Sequence, residues 1–393
     1  MDQSAFRGAA GSVGEPSDMD RKLKILLVIE NSCYGGGERT FSMLIRGLPP
    51  ERFGLYCASL PSGRFYEETK DRCRFLPLDL TRRFRPGNIP LLRRLIADNG
   101  IDIVHSQGAR ADFYSALAAS KTGAKAAATV AMPVDGFDVN FFRKRAYSVL
   151  AALAARRTAA AITVSKELRT RLEGRYPGVE LIPNPVDLSM FDPGNFDATS
   201  VMDRFGLKGK LVLGALGRLE WQKGYPFLLS ALKLLLAREP ALSGKLVCLI
   251  AGSGSLEARL KELAEEEGVF SNVVFCGEVT EVRDFLGALD IFVMPSLLEG
   301  QPLALLEAMA MERPIVASDI PGISGTVTSG STALLVTPGD AQALAGGLSK
   351  LIGDRAFALR LGRGARAAAG KSGLPAYLAS HERFYQRLAR GER

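Results

Sequence analysis

At 393 residues the chain is too long for one ordinary globular core and points to two domains. Its 47% hydrophobic and 23% charged residues exclude a largely disordered or collagen-like polymer, and five cysteines without a CxxC pair, beside only two histidines, argue against a disulfide scaffold, a zinc ribbon or a histidine-rich metal centre. The net charge of +8 lies entirely in residues 1–190, while the remainder is electrically balanced.

In chain order, residues 1–20 are small, polar and acidic and read as a disordered tail, with no basic start and apolar run of a secretory leader. Strands are then expected at Lys24–Ile29, Leu55–Leu60, Ile103–His105, Ala126–Val130, Ala160–Val164 and Val179–Ile182. Helical patterning falls between them, at Gly37–Leu48, Ile89–Asn99, Ala111–Lys121, Asn140–Ala155 and Lys166–Glu173. The segment Ile182-Pro-Asn-Pro-Val-Asp187 opens a Pro/Gly/Asp-rich connector that runs to Gly209.

Beyond it the alternation resumes, with strands at Leu211–Leu216, Leu246–Ala251, Val273–Phe275, Ile291–Met294, Ile315–Ala317 and Leu334–Val336. The intervening helices are Tyr225–Arg238, Leu256–Glu267, Val282–Ala288, Pro302–Met311, Ala341–Leu351 and Arg355–Ala369. Short apolar strands separated by helices imply two parallel α/β sheets, residues 21–190 and 195–372, facing each other across a cleft. A last amphipathic helix within 376–393 is expected to cross back over the first domain. No stretch reaches the roughly 18 apolar residues of a spanning helix; Val149–Ala161 is split by Arg156 and Arg157.

Three segments carry chemistry, each at the carboxyl end of an expected strand, where ligands bind in such sheets. In Pro295-Ser-Leu-Leu-Glu-Gly-Gln-Pro-Leu-Ala-Leu-Leu-Glu307, Pro302 suits the first turn of a helix, Glu299 lies in the loop before it and Glu307 inside it. A carboxylate among Leu305, Leu306, Ala308 and Met309 needs hydrogen-bond donors, which sugar hydroxyls supply, or else an exposed face. The free N–H groups near Gly300 and Gln301 suit an anion. In Gly217-Arg-Leu-Glu-Trp-Gln-Lys-Gly224, the Arg218 guanidinium and Lys223 ammonium suit a diphosphate; the alternative is a surface loop with ordinary charges. In Tyr34-Gly-Gly-Gly-Glu-Arg39, glycines let backbone N–H groups approach phosphates or simply permit a tight strand–helix turn. Ala251-Gly-Ser-Gly-Ser255 is a similar turn. No Asp-x-Asp lies outside the tail, so a bound diphosphate is expected to be neutralised by Arg218, Lys223 and backbone amides without metal.

Together these segments resemble the retaining glycosyltransferases of family four, whose fold is GT-B: two Rossmann-like domains across a cleft. The family's E-x7-E is Glu299 and Glu307, its EAMA is Glu307-Ala-Met-Ala310, its GR…KG loop is Gly217-Arg218 through Lys223-Gly224, and its GGxE is Gly35-Gly36-Gly37-Glu38. "IPNGVD" corresponds to Ile182-Pro-Asn-Pro-Val-Asp187, and "VGDG" to Ala251-Gly252-Ser-Gly254. The resemblance implies that Arg218 and Lys223 hold the donor diphosphate and that Glu307 binds the ribose hydroxyls. It implies that Glu299 and the backbone of Gly300, Gln301, Pro302 and Leu303 hold the transferred sugar. Gly36 and Gly37 would face the phosphates from the other domain, with Gly252 at the edge of the donor site. Two features depart from the family pattern: Ala131 stands where many members have a donor-contacting histidine, and Gln107 replaces the second histidine of "HSHG", leaving His105 as a catalytic candidate or a packed core residue.

The function so implied is metal-independent transfer of a sugar from a nucleotide sugar, UDP favoured, to a glycolipid or polysaccharide-precursor acceptor; the alternative is a non-catalytic nucleotide-sugar-binding subunit. The basic residues of the first half, among them Arg82, Arg83, Arg85, Arg93, Arg94, Arg143, Lys144, Arg145, Arg156 and Arg157, are expected to meet an anionic membrane surface or a lipid-linked acceptor, unless they form a merely solvated face. They lack the interleaved aromatics of a nucleic-acid binder, and nucleic acid is not expected as a partner. The implied location is the cytoplasm, peripheral to the inner face of the plasma membrane.

Overall fold

The computed structural model describes residues 21–30, 34–81, 85–132 and 141–392. The expected tail at 1–20, Arg82, Arg83 and the side chains of Arg143 and Lys144 lie outside the described residues.

The first domain runs β1 (Leu23–Ile29), α1 (Gly36–Gly47), β2 (Phe53–Ser59), α2 (Gly63–Thr69), β3 (Arg74–Pro77), α3 (Asn88–Asn99), β4 (Ile103–Gln107), α4 (Ala109–Ala119), β5 (Lys125–Val130), α5 (Phe141–Ala155), β6 (Ala160–Thr163), α6 (Lys166–Leu172) and β7 (Val179–Leu181). After α7 (Thr199–Arg204), the second comprises β8 (Leu211–Leu216), α8 (Tyr225–Arg238), β9 (Leu246–Ala251), α9 (Glu257–Glu266), β10 (Val273–Gly277), α10 (Val282–Gly287), β11 (Ile291–Met294), α11 (Leu303–Ala310), β12 (Ile315–Ser318), α12 (Pro321–Ser324), β13 (Leu334–Val336), α13 (Ala341–Gly353) and α14 (Arg355–Ala369). The chain closes with α15 (Leu374–Arg390).

The central strands, such as β1 and β9, are apolar on both faces because each sheet carries helices on both sides. In β1, Ile25, Leu27 and Ile29 pack with Phe41 and Leu44 of α1, while Leu26 and Val28 pack with Leu92 of α3 and Tyr114 of α4. This is the two-residue alternation of a strand read from two helical layers. Fully burying one such side chain contributes roughly 1.5–3 kcal/mol. Helix starts are set by short polar side chains: Ser165 accepts from Leu168 N, Asp340 from Gln342 N and Ala343 N, and Asp354 from Phe357 N.

The seven-stranded first sheet has the order β3-β2-β1-β4-β5-β6-β7, and the six-stranded second has β10-β9-β8-β11-β12-β13. The pairings are parallel. Both therefore follow the doubly wound Rossmann order, and the strand order reverses between β1 and β4 in one and between β8 and β11 in the other. Crevices that take ligands open at such switch points, beyond the strands' carboxyl ends. The two-sheet α/β reading holds. The short edge pair α2 and β3 has no counterpart among the expected elements, and β4 extends two residues past His105 to Gln107.

Two chain crossings join the domains and pair with each other: Val186 N donates to Ser372 O at 2.8 Å and Leu374 N to Val186 O at 3.1 Å. After the second crossing α15 lies on the first sheet. Its buried residues Tyr377, His381, Phe384, Tyr385 and Leu388 recur at helical spacing. Lys125 holds its end, with Nζ donating to Leu388 O at 2.7 Å and to Ala389 O at 3.0 Å.

Candidate active site

The loop after β8 turns through Gly217, at φ 157°, which places its carbonyl against Gly252 in the loop after β9. Gly252 has φ 131°, and any Cβ there would strike that carbonyl. Gly252 is thus required by close backbone approach and Gly217 by its positive φ. The loop then carries Arg218, which is exposed, and Lys223, which points inward. Lys223 Nζ lies 2.6 Å from Glu299 Oε1, and the Ser296 hydroxyl donates to the same oxygen at 2.8 Å. Glu299 is only 5% exposed at its side chain, so this pair is screened from water.

The segment after β11 leads to α11, which begins at Leu303 with Pro302 at the N-cap position (φ −75°, ψ 130°) rather than in the first turn. No side chain caps its start. Gly300 is pressed against the carbonyl of Ala131, at the end of β5 in the other domain. Gln301 is committed to the domain linker: Asn184 N donates to its Oε1 at 2.6 Å, Asn184 Nδ2 donates to its backbone O at 2.7 Å, and its own Nε2 donates to Thr326 Oγ1 at 3.3 Å. Its side chain therefore serves the hinge and leaves the cleft.

Glu307, 2% exposed, is an internal carboxylate of α11. Its partner comes from the other domain. Arg39, in the first turns of α1, meets it through both guanidinium nitrogens, Nη1 to Oε2 at 3.3 Å and Nη2 to Oε1. Burial pushes the Glu307 pKa above the usual carboxylate range, and the facing Arg39 cation pulls against that rise. On the preceding residue, the Glu38 carboxylate accepts from Gly35 N at 3.0 Å and so fixes the turn into α1. Burial raises its pKa, and the positive charge of Arg218 in the other domain opposes that rise. A Cβ on Gly36 would meet Leu303 at 3.8 Å, and one on Gly37 would meet Gln107 at 3.2 Å. The glycine loop thus lies over α11 on one side and on the end of β4 on the other.

Gly36, Gly37, Arg218, Lys223, Glu299, Gly300, Leu303 and Glu307 are accordingly brought to one cleft between the two switch points. His105 is not. It is fully buried in the first domain, with Nδ1 2.6 Å from Tyr385 Oη and Nε2 2.7 Å from Thr129 Oγ1. Burial drives its pKa well below the ordinary histidine value. With both nitrogens engaged and no exposed surface, it anchors α15 to β4 and leaves the catalytic set. Asp135 and Asp138, polar residues just downstream of Ala131 in sequence, lie outside the described residues. The motif's glycines and Glu38 do not point to Arg39; its one signal in the sequence is an arginine two positions after the last glycine with no acidic partner one helical turn away. Among the described residues, no group of three or more His, Cys, Asp or Glu side chains is placed to hold a metal ion.

The sequence matches two family descriptions end to end: Glycosyltransferase Family 4 over residues 34–190, and Glycosyl transferases group 1 over residues 210–354. The lipopolysaccharide core biosynthesis mannosyltransferase LpsB of Rhizobium meliloti is 33% identical over 46% of this chain and 54% of its own length. The match thus spans about half of that relative. The UDP-Gal:alpha-D-GlcNAc-diphosphoundecaprenol alpha-1,3-galactosyltransferase of Escherichia coli is 26% identical over 85% of this chain and 89% of its own. Among solved structures, Anabaena Alr3699/HepE in complex with UDP-glucose superposes with a TM-score of 0.79 at 19% identity, covering 93% of this chain and 99% of that one. The chain belongs to the GT-B glycosyltransferases, group 1, with a family 4 first domain.

Proposed function

We propose that the protein transfers a sugar from a nucleotide diphosphate sugar, a UDP-sugar by preference, to a glycolipid or polysaccharide-precursor acceptor, with retention of anomeric configuration. The observation that carries this reading is the convergence of Lys223, Glu299, Glu307 and the uncapped start of α11 in one cleft faced by the glycine loop of the other domain. In this reading Glu307 receives the ribose hydroxyls, Arg218, Lys223 and the first N–H groups of α11 hold the diphosphate, and Glu299 orients the sugar. As the bond from anomeric carbon to phosphate oxygen breaks, negative charge grows on the leaving diphosphate, and preorganised cations and N–H groups lower the barrier there. The acceptor oxygen bonds to the same face of the anomeric carbon, and its proton passes to the departing phosphate. Two fixed cations supply the neutralisation that a divalent ion gives elsewhere, so the transfer is proposed as metal-independent. Support for the donor and acceptor classes comes from the names of the relatives and from the UDP-glucose complex of the structural neighbour.

The acceptor is proposed to lie on an anionic membrane surface. Among the described residues, no helix is long and apolar enough to cross a membrane. On α5, however, Arg145, Val149 (54% exposed) and Leu153 (37% exposed) lie exposed at helical spacing, and exposed Arg156 and Arg157 follow in the turn just past its end. Leu150, on the opposite side, packs into the core. Basic side chains flanking exposed apolar ones suit a headgroup layer.

Assay with a panel of nucleotide sugars tests the proposal. Transfer or donor hydrolysis is expected with at least one UDP-sugar and is expected to collapse in E307A and R218A. Activity unchanged by both substitutions refutes it. UDP binding by calorimetry without turnover on any acceptor would instead favour a non-catalytic subunit.

A further inference from the structure

Glu307 is buried by its own helix layer, and its only side-chain partner among the described residues is Arg39, from the opposite domain. The guanidinium arrives from the cleft, engages both carboxylate oxygens, and is itself only 22% exposed. A ribose held by Glu307, as the reading above requires, must reach the same two oxygens, on a side chain only 2% exposed. One carboxylate therefore faces two claimants: an arginine that ties the domains together and a pair of hydroxyls that belongs to the donor. A planar, always-charged fork matches a carboxylate bidentately and leaves it poorly placed for a second pair of donors.

We propose that Arg39 is a latch exchanged by the donor: in the empty protein it holds the cleft closed through Glu307, and the ribose of an incoming nucleotide takes its place. The neighbouring contacts agree with a closed state. Gly300 rests on the Ala131 carbonyl and Gly36 lies over Leu303, both between the same two domains. Release of the latch costs an ion pair and returns Arg39 to the mouth of the cleft, beside the glycine loop. Because the latch must open for loading, it lowers apparent donor affinity by the fraction of molecules that are open, and removing it recovers that factor.

The inference rests on Glu307 as the ribose site, and the experiment separates the two claims. Small-angle scattering of the full chain without ligand, and calorimetric titration with UDP, are carried out on wild type, R39Q, R39K and E307Q. R39Q is expected to have a larger radius of gyration than wild type and to bind UDP about tenfold more tightly. R39K, which keeps the charge but not the fork, is expected to fall between them. E307Q is expected to be as open as R39Q while binding UDP more weakly than wild type. A compact R39Q with unchanged or weaker UDP affinity overturns the latch. An open E307Q that binds UDP as well as wild type overturns the ribose assignment, and with it the exchange, even where R39Q has opened the cleft.

Discussion

Lys223 and Glu299 leave neighbouring strands of the second sheet and meet at 2.6 Å, closed off beneath Ser296. The pair holds the Lys223 side chain inside the cleft, against Glu299. Breaking a buried pair by removing one partner costs about 3–5 kcal/mol, because the survivor is left as an uncompensated charge. K223A is therefore expected to lose both thermal stability and donor affinity. R218A, whose side chain is exposed, is expected to keep its melting temperature and lose about a hundredfold in kcat/KM, the scale of one missing electrostatic stabiliser. Melting curves and transfer kinetics on the two variants check the contrast.

Gly300 has no room for a side chain, since a Cβ would enter the carbonyl of Ala131 from the facing domain. The collision exists only when the domains are together. G300A is expected to fold normally, scatter as a more open particle, and lose at least about tenfold in kcat, as closure aligns donor and acceptor. A G300A variant as compact and as active as wild type would show that the approach of Ala131 is incidental.

Much of this was legible in the sequence. The parallel two-sheet architecture follows from apolar runs of strand length alternating with helical patterning, and each second-domain motif falls where its spacing puts it because each lies within a single strand–loop–helix unit, β8 to α8 for one and β11 to α11 for the other. Glu307 was readable as a candidate site carboxylate because its sequence neighbours Leu305, Leu306, Ala308 and Met309 offer it no side-chain donor. Arg39 was not readable as its partner, because the two are 268 positions apart and meet only through the packing of two domains. His105 was ambiguous for the same reason. A histidine ending a strand points to a site until Tyr385, far along the chain, is seen to occupy its ring nitrogen. The short α2 and β3 lacked enough residues to show a period.

The histidines give the fold a pH dependence. His381 is 1% exposed in α15, and burial pushes its pKa down to about 4. The unfolded value is about 6.5, so below that pH the unfolded chain binds a proton that the folded one refuses, and stability falls as pH drops from 6.5 toward 4. Asp112, pushed up to about 7 by burial against a hydrogen bond from Ser106, works in the opposite sense over the same range. The test is therefore a difference. The stability of wild type relative to H381L, from urea unfolding, is expected to shrink by about 2 kcal/mol between pH 7.5 and pH 5. A constant difference would mean that His381 is not held neutral.

The exposed stripe of α5 makes a separate claim. Vesicles containing anionic lipid are expected to bind the protein and to release it at high salt, because surface charges are screened over about 3 Å at 1 M. The double substitution R145E/R156E is expected to abolish binding, each basic residue near such a surface contributing about 1 kcal/mol. Equal cosedimentation with neutral vesicles would contradict the electrostatic account.

The most direct measurement is a crystal structure of the protein soaked with UDP. The account expects the ribose hydroxyls within hydrogen-bond distance of Glu307, the diphosphate between Arg218, Lys223 and the start of α11, and Arg39 withdrawn from the carboxylate. UDP bound elsewhere, or a ribose that leaves Glu307 paired with Arg39, would contradict it.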